Sequence, residues 1–175
     1  FSESNFWKSL TLRVFSTIFP NLKVSGKGII KVKASNNIEM LKELSQDRFF
    51  IHKPTFESLQ GITELMDESF IDTQNYLKKP SYRTLILVPI IDEIVPRKPI
   101  ISLLEDEDVK KNLSRIIDIG IYEKNFHMML RDLNNSRVIN HISIWIENKN
   151  IIKDHSEFKN PLNKLKNSPY HHRLE

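Results

Sequence analysis

The sequence predicts an α/β fold: helices first, then a strand–helix–strand–helix unit at the edge of a parallel sheet. Two apolar runs carry the prediction, Thr84-Leu-Ile-Leu-Val88 and Ile116 to Tyr122. The first is continuous and flanked by polar residues and proline, which suits a strand buried on both faces, and the second is β-like in the same way. Between them Pro99, at a first-turn position, precedes Ile100, Ile101, Leu103 and Leu104, the start of a crossover helix.

The other elements follow in chain order. Asn5 to Phe19 is apolar at Phe6, Leu10, Val14, Phe15 and Ile18, a helical spacing, and Pro20 stops it. Asn21 to Lys33, broken around Gly26 and Gly28, reads as an extended loop. Asn36 is the expected N-cap of a short helix, with Glu39 completing a capping box and Ile38, Leu41 and Leu44 on one side. That helix ends near Asp47. Pro54 opens the next segment, where Leu59, Ile62, Leu65, Met66 and Phe70 repeat the helical period and Gln60, Glu64 and Asp67 mark the opposite, wet face. The acidic stretch Glu105 to Asp108 reads as a solvated bend or helix end. After the second strand, Glu123 to Met128 is expected to be a loop. A last helix is predicted from Asn134 to about Lys149, burying Val138, Ile142, Trp145 and Ile146. Beyond Ile152 the chain is polar and interrupted by Pro161 and Pro169, which predicts a loosely held tail.

Composition excludes several functions. The 175 residues suffice for one domain of ordinary size, and 39% hydrophobic with 27% charged residues is neither a disordered polymer nor a membrane protein. No run of eighteen apolar residues is present, so no ordinary transmembrane segment is expected. The absence of cysteine removes disulfides, thiolate zinc sites and a Cys nucleophile. Only 4 glycines occur, with no Gly-rich phosphate loop. The net charge of +4 is spread along the chain without a clustered cationic face, so no nucleic-acid partner is expected. Phe1-Ser-Glu-Ser-Asn lacks the basic start and apolar stretch of a secretory signal, and a cytoplasmic protein is expected. A first residue other than Met leads to the further expectation that either something was removed or the sequence starts inside a longer protein.

Chemistry is expected where the strands end, because open α/β sheets gather functional groups at their carboxyl edge. Asp92, in Ile91-Asp-Glu-Ile-Val-Pro96, and His127, in Phe126-His-Met128, stand 35 positions apart, one strand–helix–strand unit. From adjacent parallel strands they would emerge as neighbours. A carboxylate beside an imidazole fixes its tautomer and stabilises the imidazolium, as a general base serving a nucleophile needs. Plainer readings stand beside this one. Asp92 would cap the following turn or pair with Arg97 or Lys98, and His127 would be a loop histidine. His52 and His141 read as structural, the His171-His172 pair as solvated, and Met128 and Met129 as core or pocket lining. Arg131-Asp132 reads as an ion pair or a helix start. The basic stretch from Lys153 to Arg173 reads as a solvated tail before a lipid-contacting one.

These residues also carry a family resemblance. Leu85-Ile-Leu-Val88, Asp92-Glu-Ile-Val-Pro96 and Phe126-His-Met-Met-Leu-Arg-Asp-Leu133 resemble the C-terminal half of an α/β-hydrolase, of the lysophospholipase and monoacylglycerol lipase-like (serine aminopeptidase-type) branch. Asn36-Asn-Ile-Glu-Met-Leu41 and Gly61-Ile-Thr-Glu-Leu-Met-Asp67 resemble that branch's cap region, and the likeness spans roughly residues 5 to 147. It implies cap helices over 1–79, the last two parallel strands with flanking helices over 80–150, and a polar tail over 151–175. It further implies Asp92 as triad acid and His127 as triad base, a lipid-like ester as substrate, and neither metal nor organic cofactor. In the family the serine lies upstream on a Gly-x-Ser-x-Gly turn. Here Val24-Ser25-Gly26-Lys27-Gly28 has the wrong spacing, so a partner in the form of a missing N-terminal half is implied. Relatives usually have Gly two residues before the acid, where this chain has Ile90, and a β-branched residue there bears on the position of the acid loop. Two alternatives stay open: a non-catalytic remnant of a truncated or split gene, and a small basic binding protein.

Overall fold

The computed structural model describes residues 3–25, 32–113, 115–147 and 150–168. Gly26 and Gly28 of the expected loop, Pro169 and the His171-His172 pair therefore lie outside the described residues. The chain divides into two compact units, 1–31 with 43–73 and 32–42 with 74–175.

The first unit is built from α1 (Glu3–Ile18) and most of α3 (Phe56–Lys78). Phe15 stacks on Phe56 with ring centroids 5.2 Å apart. Lys23 bridges Thr55, and Val24 N–H donates to the Pro54 carbonyl at 2.8 Å. The periodicity located both helices but overstated their burial. Leu10, Val14 and Ile18 of α1, and Ile62, Leu65 and Met66 of α3, are between 40% and 64% exposed. Two helices shield only the seam between them, so a wide apolar stripe stays partly in water.

The second unit holds the sheet. Strands β1 (Thr84–Ile91) and β2 (Ile117–Phe126) run parallel, in unbroken register from Thr84 opposite Ile117 to Pro89 opposite Tyr122. The next pair is Ile91 with Phe126, so β2 bulges by two residues relative to β1. This corrects the expected loop at Glu123 to Met128, because the strand continues to Phe126. Glu123 and Lys124 interrupt the apolar run and face water, while Asn125 and Phe126 return to the interior. Among the described residues β1 pairs along one edge only, and Thr84 to Leu87 are half-buried, less than the expected burial on both faces. Val88 and Ile90 reach the core.

Helices α4 (Arg97–Glu105) and α5 (Glu107–Lys110) form the crossover. Asp106 ends one and caps the other, accepting from the N–H groups of Asp108 and Val109, and it pairs with Lys78 at 3.0 Å. The acidic bend is thus a working cap. The core joins Leu77, Val88, Ile90, Leu104, Val109, Ile117, Ile119, Ile121 and Leu165. Gly120 allows a close approach, since a Cβ there would lie 2.9 Å from the Phe158 ring. Helix α6 (Asn135–Ile146) buries Val138 and His141, whereas Ile146, expected inside, is 70% exposed at the last turn.

Two further expectations are corrected. Helix α2 (Ile38–Gln46) is capped by Asn37, whose Oδ1 accepts from Met40 N–H at 3.1 Å. Asn36 instead accepts from Leu133 N–H at 2.8 Å, so no capping box forms with Glu39, and Met40 rather than Ile38 is the buried side chain. The tail is not loose as far as Ser168. Ile152 and Leu165 are fully buried, α7 (Pro161–Asn167) packs on the core, and Arg97 donates to the carbonyls of Leu165 and Ser168. A few apolar residues among polar ones suffice to dock a short helix, and overall polarity hides them. Among the described residues no helix is long and apolar enough to cross a membrane.

Candidate active site

The register explains why the candidate acid and base meet. Ile91 and Phe126 are partners across the sheet, so the residues that follow each, Asp92 and His127, leave the carboxyl edge side by side. Asp92 Oδ2 and His127 Nδ1 lie 3.0 Å apart. The other carboxylate oxygen accepts from Ile94 N–H at 2.8 Å and Val95 N–H at 3.0 Å. Asp92 therefore caps its turn and contacts the imidazole at once. Its side chain is 11% exposed and that of His127 is 38% exposed.

A carboxylate only accepts, so the His127 proton facing it sits on Nδ1. That leaves Nε2 as the basic nitrogen. Among the described residues Nε2 has no hydrogen-bond partner, and the ring is accessible. An oriented imidazole with a free basic nitrogen can take a proton from a hydroxyl placed against it. Ile90 has not displaced the acid: it stays in β1, buried, with its carbonyl accepting from Arg97 at 3.2 Å.

Asp132 departs from the sequence expectation, whereas Met129, His52 and His141 take the structural places expected of them. Asp132 is almost fully buried and accepts from Phe126 N–H at 2.7 Å, Asn125 Nδ2 at 3.2 Å and Ser35 Oγ at 2.6 Å. It closes the turn that carries His127, a tighter role than an ion pair with Arg131. Met129 joins Tyr122 and Val138 in a small core, and Met128 is half-buried. His52 lies against the Phe50 ring and the Asp47 carbonyl, as a structural residue does. His141 has partners no spacing announced: Tyr122 Oη at 2.8 Å from Nδ1 and His155 Nδ1 at 3.2 Å from Nε2. Burial lowers the His141 pKa from 6.5, and burial also raises the Tyr122 phenol.

A cavity of about 520 Å³ opens beside Ile90, Ile91, Glu123 and Lys164, and neither Asp92 nor His127 lines it. The site is therefore assigned on the carboxylate–imidazole geometry and its place at the sheet edge. Leu59, Ile62, Leu65 and Met66, which repeat the helical period, lie on α3, Leu59 half-buried and the other three exposed. Among the described residues no group of three or more His, Asp or Glu is arranged to hold a metal ion.

No family model matches the sequence, and no curated protein matches it. Among solved structures, the crystal structure of Paleococcus ferrophilus monoacylglycerol lipase is similar, with a TM-score of 0.60 over 80% of this chain and 18% identity. The match takes in 51% of that lipase, so the chain spans about half its length. Identity this low speaks for architecture alone. The chain has an α/β fold similar to that of part of this lipase.

Proposed function

We propose that the chain is the C-terminal part of a serine-type carboxylic-ester hydrolase, with His127 as general base and Asp92 as the acid that orients it. The observation that carries this reading is the 3.0 Å bond from Nδ1 to Asp92 on a ring whose Nε2 is open. In the reaction a serine hydroxyl attacks the ester carbonyl carbon while His127 Nε2 takes its proton. The imidazolium, stabilised by Asp92, then returns that proton to the departing alcohol. Water attacks the acyl-serine in the second half, losing its proton to Nε2, which returns a proton to the serine oxygen as the acyl–oxygen bond breaks and the carboxylic acid leaves. Backbone N–H groups near the serine would hold the oxyanion. The likeness to a monoacylglycerol lipase supports a single-chain glyceride or lysophospholipid as substrate.

The serine must come from outside these residues. The glycines stand at 26, 28, 61 and 120, and no two are four apart, so the sequence contains no Gly-x-Ser-x-Gly turn. The same inventory favours the second reading, that the chain alone is not catalytic. A fluorophosphonate probe, which labels activated serines, separates the outcomes. It should leave the 175-residue chain unlabelled. Joined to the amino-terminal half of a monoacylglycerol lipase, the hybrid should label and should cleave a short-chain nitrophenyl ester. Labelling of the chain alone at any serine, or an inert, folded hybrid, would contradict the proposal.

A further inference from the structure

The residues on either side of His127 both have their backbone N–H groups pinned. Phe126 N–H donates to Asp132 Oδ2 at 2.7 Å, and Met128 N–H donates to the Ala34 carbonyl at 2.9 Å. These two anchors are joined to each other. Ser35, next to Ala34, donates from Oγ to Asp132 Oδ1 at 2.6 Å, with Ser35 and Asp132 only 0% and 1% exposed. The same extended segment reaches the acid's side, where Lys33 N–H donates to the carboxylate of buried Glu93 at 3.0 Å, one residue after Asp92. Beyond Ser35 it is tied down again, by Asn36 to Leu133 N–H and by Asn37 to the Arg131 carbonyl.

We infer that Ser35 and Asp132 are positioning residues that hold the His127 imidazole on Asp92. The inference rests on reading Asp92 and His127 as an acid–base pair. An ion-pair contact on a part-exposed ring is worth little against side-chain entropy in water, so the 3.0 Å bond does not by itself fix the imidazole. A backbone fixed at both neighbouring residues does, because it removes the freedom of the turn from which the ring projects. Asp132 supplies one anchor directly and the other through Ser35 and Ala34. Among the described residues neither side chain hydrogen-bonds the His127 ring, so their effect passes through the backbone.

Long-range proton–nitrogen NMR of the 175-residue chain, labelled with ¹⁵N in its histidines, tests this at mildly alkaline pH. In the parent chain His127 should be the Nδ1–H tautomer. Ser35→Ala and Asp132→Asn should each move it toward the Nε2–H tautomer and speed exchange of the Nδ1 proton by about tenfold, the loss of one hydrogen bond to a charged group. Leu104→Ala, a core cavity at least as destabilising, should leave the His127 signals where they were. Unchanged tautomer and exchange in Ser35→Ala would overturn the inference, and so would an equal effect of Leu104→Ala. Should Asp132→Asn fail to fold, Ser35→Ala decides. Asp92→Asn separates the two readings. If it leaves the His127 tautomer unmoved, the acid–base pair itself fails. If it moves the tautomer and Ser35→Ala does not, only the positioning role fails.

Discussion

Asp92 shows how one carboxylate can make two sets of contacts at once. Its carboxylate has two oxygens, one capping the turn through Ile94 and Val95 and one on His127. The pair was legible because strand ends are legible: an Asp and a His each following a short apolar run must emerge together if the runs are adjacent and parallel. The bulge that restores alignment, pairing Ile91 with Phe126, was not legible, since Glu123 and Lys124 read as the end of the strand. Ile90 is the residue-scale test of this geometry. It is a buried core residue at the step where the strand register shifts, so Ile90→Gly should destabilise the fold by about 3 kcal/mol or more through lost burial and added chain freedom. Denaturant unfolding measures that loss. In an active hybrid the same change should bring no gain in rate, whereas a faster hybrid would mean that Ile90 had been holding the acid loop out of place.

At the scale of elements, α6 and the segment after it are held by a buried histidine that reads as structural in the sequence, though no pattern announced its partners. His141 is 1% exposed, lies between Tyr122 and His155, and packs edge-on to Phe158, with the Arg137–Glu157 ion pair at 2.5 Å nearby. Its partners lie 19 and 14 positions away with no motif between them, so only the fold reveals the cluster. Neutral His141 donates from one ring nitrogen and accepts at the other, the roles at Tyr122 and His155 depending on its tautomer. Burial lowers its folded-state pKa below 6.5, so the unfolded chain binds the proton more readily. Stability from this group is therefore full above 6.5 and declines as pH falls below it. Glu157 adds a separate acid-side loss. Burial alone would raise its pKa, but hydrogen bonds from its own backbone and Ser156, with Arg137 and His141, bring it below 4.5. Thermal unfolding from pH 8 to 5 should show a falling midpoint below about pH 6.5, and His141→Gln should flatten that slope. A slope unchanged by the substitution would remove His141 as its source.

For the whole molecule, what the sequence revealed best was order and type of element, and what it revealed least was enclosure. Apolar period located α1 and α3, yet Ile62, Leu65 and Met66 remain exposed, because period reports a face and not what covers it. The opposite error occurred beyond Ile152, where polarity masked Ile152 and Leu165 and the docked helix α7. Leu165→Ala should accordingly destabilise the chain by about 2–5 kcal/mol in denaturant unfolding, as a core leucine does and a loose tail does not. A change under about 0.5 kcal/mol would return the segment to the surface. The central claim is that a general base works at the edge of this two-stranded sheet, and the turnover number of the hybrid hydrolase with Asp92→Asn tests it most directly. The account predicts an ester-cleavage rate lower by about four orders of magnitude, with the labelled serine still present, as when an oriented imidazole loses its carboxylate. A rate within about tenfold of the parent hybrid would contradict it, because His127 would then need no partner at Asp92.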